Sequence, residues 1–167
     1  MTALVFVDTN VLVYARDATN SRKQHLAAES LQPLWRERNG RTSIQVMGEC
    51  YVTLTRKLRL QADLAWDYVS VLRAWNPLPV NHEVMTRARE VERRYQTSWW
   101  DATIVAAAQE QNCNILLSED FQDGMKFDQL VVRNPFAVKA QEPQPELVTP
   151  VTARPRHRPR GRPSRIA

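Results

Sequence analysis

The stretch Ala3-Leu4-Val5-Phe6-Val7-Asp8-Thr9-Asn10 decides the fold. Five apolar residues, β-branched and aromatic among them, are too short a run for a buried helix and suit a buried strand. Asp-Thr-Asn stops that strand and leaves a carboxylate at its carboxyl end. A second run, Ile115-Leu116-Leu117, is followed by Ser118-Glu119-Asp120, and Leu130-Val131-Val132 supplies a further strand after a polar loop over 118–126. Between the runs the period is helical. A short helix is predicted through Val11–Ala15, and a longer one carries Leu26, Leu31, Leu34 and Trp35, with Ser21 as N-cap and Asn39-Gly40 as stop. A brief strand at Arg41–Ser43 leads into a helix from about Ile44 to Lys57. Leu64, Tyr68, Val71, Leu72 and Trp75 mark the next helix, ended before Pro77, and Pro79-Val80 reads as a short strand. His82–Tyr95 is a charged amphipathic helix, and Ser98 opens a small-residue helix to about Gln111. Short apolar strands alternating with helices imply an α/β fold with a mainly parallel sheet, because crossover helices cover both faces.

At 167 residues the chain has room for one domain with a real core. The apolar start is too short for a signal peptide or a membrane span, and the expected location is cytoplasmic, with no membrane partner. Cys50 and Cys113 lie in apolar surroundings and read as buried thiols, not as a disulfide pair. The formal charge of +5 resides in the tail: from Gln141 onward six arginines face only Glu142 and Glu146, while the rest of the chain is nearly neutral. Helical and strand periods vanish beyond Asn134-Pro135-Phe136. Residues 1–138 therefore read as the folded domain, and 139–167 as a Pro/Arg-rich tail that cannot bury enough apolar area to order itself.

Four carboxylates sit where charge is locally awkward: Asp8, Glu49, Asp101 and Asp120. Each costs desolvation energy unless compensated. Asp8 and Asp120 follow strands, where open α/β sheets bind ligands, although either can be read as a cap or a turn residue. Asp123 lies in the same loop as Asp120. Glu49 has Val46, Cys50 and Thr53 around it on a helix, so it borders the apolar face; an exposed edge position is the alternative. Gly48 beside it suggests close approach of backbone or ligand. Ser98-Trp99-Trp100-Asp101 fits a capping box, yet Asp101 shares its helical face with Ile104, Val105 and Ala108. Clustered carboxylates repel, and a shared Mg²⁺ or Mn²⁺ relieves that repulsion. Oxygen-only ligation suits those hard cations; His25, His82 and His157 have no metal-ligand spacing.

Phe6-Val7-Asp8-Thr9-Asn10-Val11-Leu12, Glu49 in a helix, Ser98-x-x-Asp101-Ala102-x-Ile104 and Leu116-Leu117-Ser118-Glu119-Asp120-Phe121 together resemble the PIN-domain ribonucleases, and among them the VapC-type toxins of bacterial toxin–antitoxin pairs. The resemblance covers about residues 3–136. It implies a PIN-like three-layer fold, and an acidic site of Asp8, Glu49, Asp101 and Asp120 with Asn10 and Ser118 as helpers. It also implies Mg²⁺ or Mn²⁺ as cofactor, an RNA substrate that is single-stranded or structured, a cognate antitoxin as partner and a homodimer.

The tail contains Pro159-Arg160-Gly161-Arg162-Pro163, the core of an AT-hook, which lays Arg-Gly-Arg into an A·T-rich minor groove. In an Arg/Pro-rich stretch this pentapeptide also arises without that role. A non-catalytic nucleic-acid-binding regulator acting through the tail is therefore the alternative from another class. A haloacid-dehalogenase-like phosphatase is a weaker one, because its chemistry needs an Asp where Asn10 stands. Four glycines in the whole chain leave no phosphate-cradling loop. Trp99-Trp100 reads as a core or dimer contact or as a base-stacking pair. Trp35, Trp66 and Trp75 read as core packing.

Overall fold

A computed structural model describes residues 3–138. The tail, with Pro159–Pro163, lies outside the described residues. The order of elements is β1 (Val5–Val7), α1 (Thr9–Tyr14), α2 (Ser21–Glu37), β2 (Gly40–Arg41), α3 (Ile44–Arg56), α4 (Ala62–Ser70), a 3-10 helix (Val71–Trp75), α5 (His82–Tyr95), α6 (Trp99–Glu110), β3 (Ile115–Leu117), β4 (Lys126–Phe127) and β5 (Leu130–Arg133). The sheet runs β2-β1-β3-β5-β4. Its inner pairs are parallel, and β4 alone pairs antiparallel, with β5. This is the mainly parallel α/β architecture read from the sequence.

Register places the site. Val7 pairs with Leu117, so β1 and β3 end level and their next residues, Asp8 and Ser118, emerge side by side. The Asp8 amide continues the ladder by donating to the Leu117 carbonyl at 3.0 Å. Phe6, Val7, Leu116 and Val132 are buried, as parallel strands covered on both faces must be. Helix α6 is buried all round from Ala102 to Ala108, which explains why small residues fill it.

Several local expectations are corrected. Asn20, not Ser21, caps α2, its side chain accepting from the Lys23 amide. That helix stops at left-handed Arg38, and Gly40 belongs to β2. With so few glycines, helix and turn ends fall on Arg38, Arg59, Asn76, Gln96, Asn112 and Asp128 at positive φ. Ser43 is the N-cap of α3, its bridge partner is Leu78, and no strand forms at Pro79-Val80. The long helix expected to end at Trp75 tightens into 3-10 geometry at Val71. The β4 strand was not anticipated: a two-residue run, exposed then buried, has no readable period. Cys50 and Cys113 are buried free thiols, as expected.

Of the three tryptophans read as core, only Trp75 is; Trp35 half-covers it at a ring-centroid distance of 4.3 Å, and Trp66 is exposed. Trp75 packs against Gly40 so closely that a Cβ there would lie 2.5–2.9 Å from three indole atoms. The ring is buried and already stacks on Trp35, so yielding to a new Cβ disturbs that packing. Gly40→Ala should therefore destabilise the chain by about 1–3 kcal/mol, read as a lower urea midpoint at unchanged slope; a midpoint equal to wild type would mean that the indole moves freely.

Candidate active site

Asp8 follows β1 and is 5% exposed. It stands at the N-cap of α1, but its Oδ1 accepts from the amide of Thr9, the first helical residue, at 2.7 Å. An ordinary capping side chain reaches the second or third amide, so this contact leaves Asp8 aimed across the sheet edge. Its Oδ2 accepts from Ser118 Oγ at 2.7 Å and from Asn10 Nδ2 at 3.4 Å. Burial pushes the Asp8 carboxyl up to about 7; bonds from Ser118 and Thr9 oppose the rise, and the charges of Asp120 and Glu49 add to it. The expected helper Asn10 ties the site together. Its Nδ2 also contacts Ser118 Oγ at 3.3 Å and Asp120 Oδ2 at 3.0 Å, and its Oδ1 accepts the Glu119 amide at 3.3 Å. Ser118 is fully buried and accepts from the Asp120 amide at 3.1 Å.

Glu49 arrives from α3. Its Oε2 accepts from Thr9 Oγ1 at 2.9 Å and its Oε1 from Gln45 Nε2 at 2.9 Å. Glu49 and Asp120 face one groove of about 730 Å³ between α1 and α3, with Asn10 at its floor and Val13, Val52 and Leu58 among its walls. Gly48 lines the same groove, and nothing lies within 4 Å of where its Cβ would be, so no backbone approaches it. The missing side chain opens the groove instead.

Asp101 shares no hydrogen bond with this cluster. Ser98 Oγ accepts the Asp101 amide at 3.1 Å and donates to Asp101 Oδ2 at 2.7 Å, so a box forms side chain to side chain and not onto the Ser98 backbone. Asp123 accepts the Asn134 amide at 2.9 Å and closes its own loop. As the side chains stand, no group of three or more Asp, Glu, His or Cys converges tightly enough to hold a metal among the described residues. Asp8 and Asp120 share Asn10, Glu49 is turned to Thr9 and Gln45, and Asp101 to Ser98. The structure thus brings Asp8, Glu49 and Asp120 to one place with Asn10 and Ser118, and leaves Asp101 with its serine.

The family model of the PIN domain matches residues 5–125. The chain belongs to the PIN-domain family. Its fold is similar to that of a toxin–antitoxin complex from Klebsiella pneumoniae, at 19% identity and a TM-score of 0.60 over 80% of this chain and 99% of that one. It is also similar to VapC20 of Mycobacterium tuberculosis, a sarcin-ricin loop cleaving toxin, at 23% identity and a TM-score of 0.53 over 67% of this chain and 86% of that one. At such identities these likenesses speak for the fold alone. Among curated proteins none matches.

In this PIN domain, the groove residues that sequence reasoning missed include Thr9, Glu119 and Tyr14. Thr9 holds Glu49, and Glu119 and Tyr14 line the groove. Thr9 had a signal, since it lies between two residues already singled out. Tyr14 had none, because its place on the groove follows from how α1 and α3 pack.

The buried carboxyl makes a pH prediction for the metal-free PIN domain. The folded chain holds the Asp8 proton up to about pH 7, whereas the unfolded chain releases it near 3.8. The folded state thus binds more protons across that window, and stability falls as pH rises through it. In chelator, Asp8→Asn should be the more stable protein at pH 8, by on the order of a few kcal/mol, and should match wild type near pH 4. Urea unfolding at both pH values measures this; a wild type more stable than the variant at pH 8 would contradict it.

Proposed function

We propose that this PIN domain is a metal-dependent endoribonuclease acting on single-stranded or structured RNA, and the toxin half of a toxin–antitoxin pair. The observation that carries the reading is that Glu49 and Asp120 line one open groove while Thr9 and Asn10 tie both to the buried Asp8. Family membership supports nuclease chemistry, and the fold likeness to a toxin–antitoxin complex and to an RNA-cleaving toxin supports the substrate class and an antitoxin partner. In this reading residues 1–138 are the catalytic unit and 139–167 a separate tail. Among the described residues no helix is long and apolar enough to cross a membrane.

The donor set fits a hard divalent cation. Asp8, Glu49 and Asp120 offer carboxylate oxygens only, and among the described residues no Lys, Arg or His side chain bonds any of the three. These residues would hold Mg²⁺ or Mn²⁺, with Asp101 proposed as the fourth carboxylate on the strength of the sequence resemblance. The bound cation supplies Lewis acidity at a phosphoryl oxygen and a more acidic water.

The chain's own residues do the rest. Ser118 and the Thr9 amide fix the Asp8 carboxylate, Asn10 holds Asp120 level with it, and Thr9 Oγ1 turns Glu49 toward the same end of the groove. A carboxylate so placed orients the attacking water and accepts its proton as the new P–O bond forms in line and the old one breaks, the leaving oxygen taking a proton. Val13, Val52 and Leu58 offer apolar surface against which bases can lie. Asp123 accepts the Asn134 amide.

Cleavage of an RNA panel with Mg²⁺ or Mn²⁺ tests the proposal. Chelator should abolish activity, and Asp8→Asn, Glu49→Gln and Asp120→Asn should each lower it at least about 10²-fold. For Asp101 the decisive contrast is with its cap. Ser98→Ala should cost about 1 kcal/mol of stability and keep cleavage, whereas Asp101→Asn should lose cleavage. Equal behaviour of those two variants would make Asp101 a helix cap and no more.

A further inference from the structure

Lys23 comes from α2, and it reaches the acid loop from outside the groove. Its Nζ lies 2.5 Å from Glu119 Oε2 and 3.0 Å from Tyr14 Oη. The same ammonium stands over the Tyr14 ring at 4.2 Å and the Phe136 ring at 5.1 Å. Those two rings meet edge to face, and Arg22 pins Phe136 by donating to its carbonyl at 3.2 Å. The side chains of Lys23 and Glu119 are 24% and 22% exposed, so this pair is better shielded from water and salt than an ordinary surface bridge. Two aromatic rings and two acceptors, Tyr14 Oη and Glu119 Oε2, hold the ammonium.

Glu119 sits between Ser118 and Asp120, the two loop residues that hold Asp8 and face the groove. Its amide is bonded to Asn10 Oδ1. The three-residue loop is fastened on the site side by Asn10 and by the Ser118–Asp8 bond, through its backbone by the Ser118 amide donating to the Arg133 carbonyl at 3.1 Å, and on the far side by Lys23. Glu119 already lines the groove; without Lys23 its carboxylate would be free to swing there, to repel a phosphate and to drag its neighbours.

We infer that Lys23 is a positioning residue of the nuclease site, which sets Asp120 and Ser118 by holding Glu119 away from the acids against Tyr14 and Phe136. Lys23 acts through Glu119 and touches none of Asp8, Glu49 or Asp120. The inference rests on the ribonuclease reading for its catalytic consequence, but the loop's effect on cation binding stands apart from turnover.

The test uses the full chain with Lys23→Met, Lys23→Arg, Glu119→Gln and the Lys23→Met/Glu119→Gln double variant. Two readouts are needed: Mn²⁺ titration followed by calorimetry or electron paramagnetic resonance, and steady-state RNA cleavage. Lys23→Met and Glu119→Gln should each weaken Mn²⁺ binding several-fold and lower kcat about tenfold or more, with KM little changed. The double variant should be no worse than either single one, because both remove the same fastening, and Lys23→Arg should restore most of both readouts. Additive losses in the double variant would overturn the inference. So would a rise in KM alone that grows steeper with salt, which would place Lys23 on an RNA phosphate. A lowered melting temperature with unchanged Mn²⁺ affinity and kcat would reduce the pair to a structural bridge and overturn it as well. A wild type that cleaves no RNA defeats the ribonuclease reading, and the Mn²⁺ titration then decides the positioning claim alone.

Discussion

Keeping a carboxylate buried at the end of β1 is the constraint on which the rest of this molecule depends. Asp8 is surrounded by the apolar ends of two strands, where an unpaired charge is costly. The sheet register sets Ser118 beside it, the start of α1 gives it an amide, and Asn10 bridges outward to the loop after β3. Those donors satisfy the carboxylate oxygens without neutralising their charge. The result is a group held in place but electrostatically unmet, with two more acids close enough to raise its pKa. A fold seeking stability alone would put an amide or an apolar side chain there.

The surrounding architecture serves that placement. The central pairing of parallel β1 and β3 brings two chain segments more than a hundred residues apart to one edge, and the short crossover from β2 into α3 delivers Glu49 from a third. Ser43 caps α3 and so fixes where the helix begins; Glu49 lies nearly two turns further on, facing α1. The groove owes its openness to Gly48 and its walls to aliphatic residues on both helices. Polar and apolar side chains line it together, as a ligand of phosphates and bases calls for.

Much of this was legible because strand ends and helix starts obey local rules. Val5–Val7, Ile115–Leu117 and His82–Tyr95 announce themselves by period, and Asp8-Thr9-Asn10 by the abruptness of its stop. What was not legible depends on long-range geometry. Trp66 has helical core spacing, but the helix turns that face to solvent, whereas Trp75 is sealed by a glycine on another element. Asp101 shows the limit most clearly: its helical face suggested the core, its serine suggested a cap, and in the structure the serine hydroxyl holds the carboxylate. Lys23 carries no signal at all, since its partners lie on α1, the loop after β3 and the chain beyond β5.

The sheet itself is closed to newcomers. Both outer strands, β2 and β4, are two residues long, too short to template the pairing of an added chain. Edges this short give strand addition little to build on. Exposed apolar side chains lie instead on helices, Ile44, Val52, Leu64, Trp66 and Val71 among them, along α3, α4 and the turn that follows. Blunt edges thus leave a run of exposed apolar surface on α3, α4 and the turn that follows, close to the groove wall that Val52 already forms.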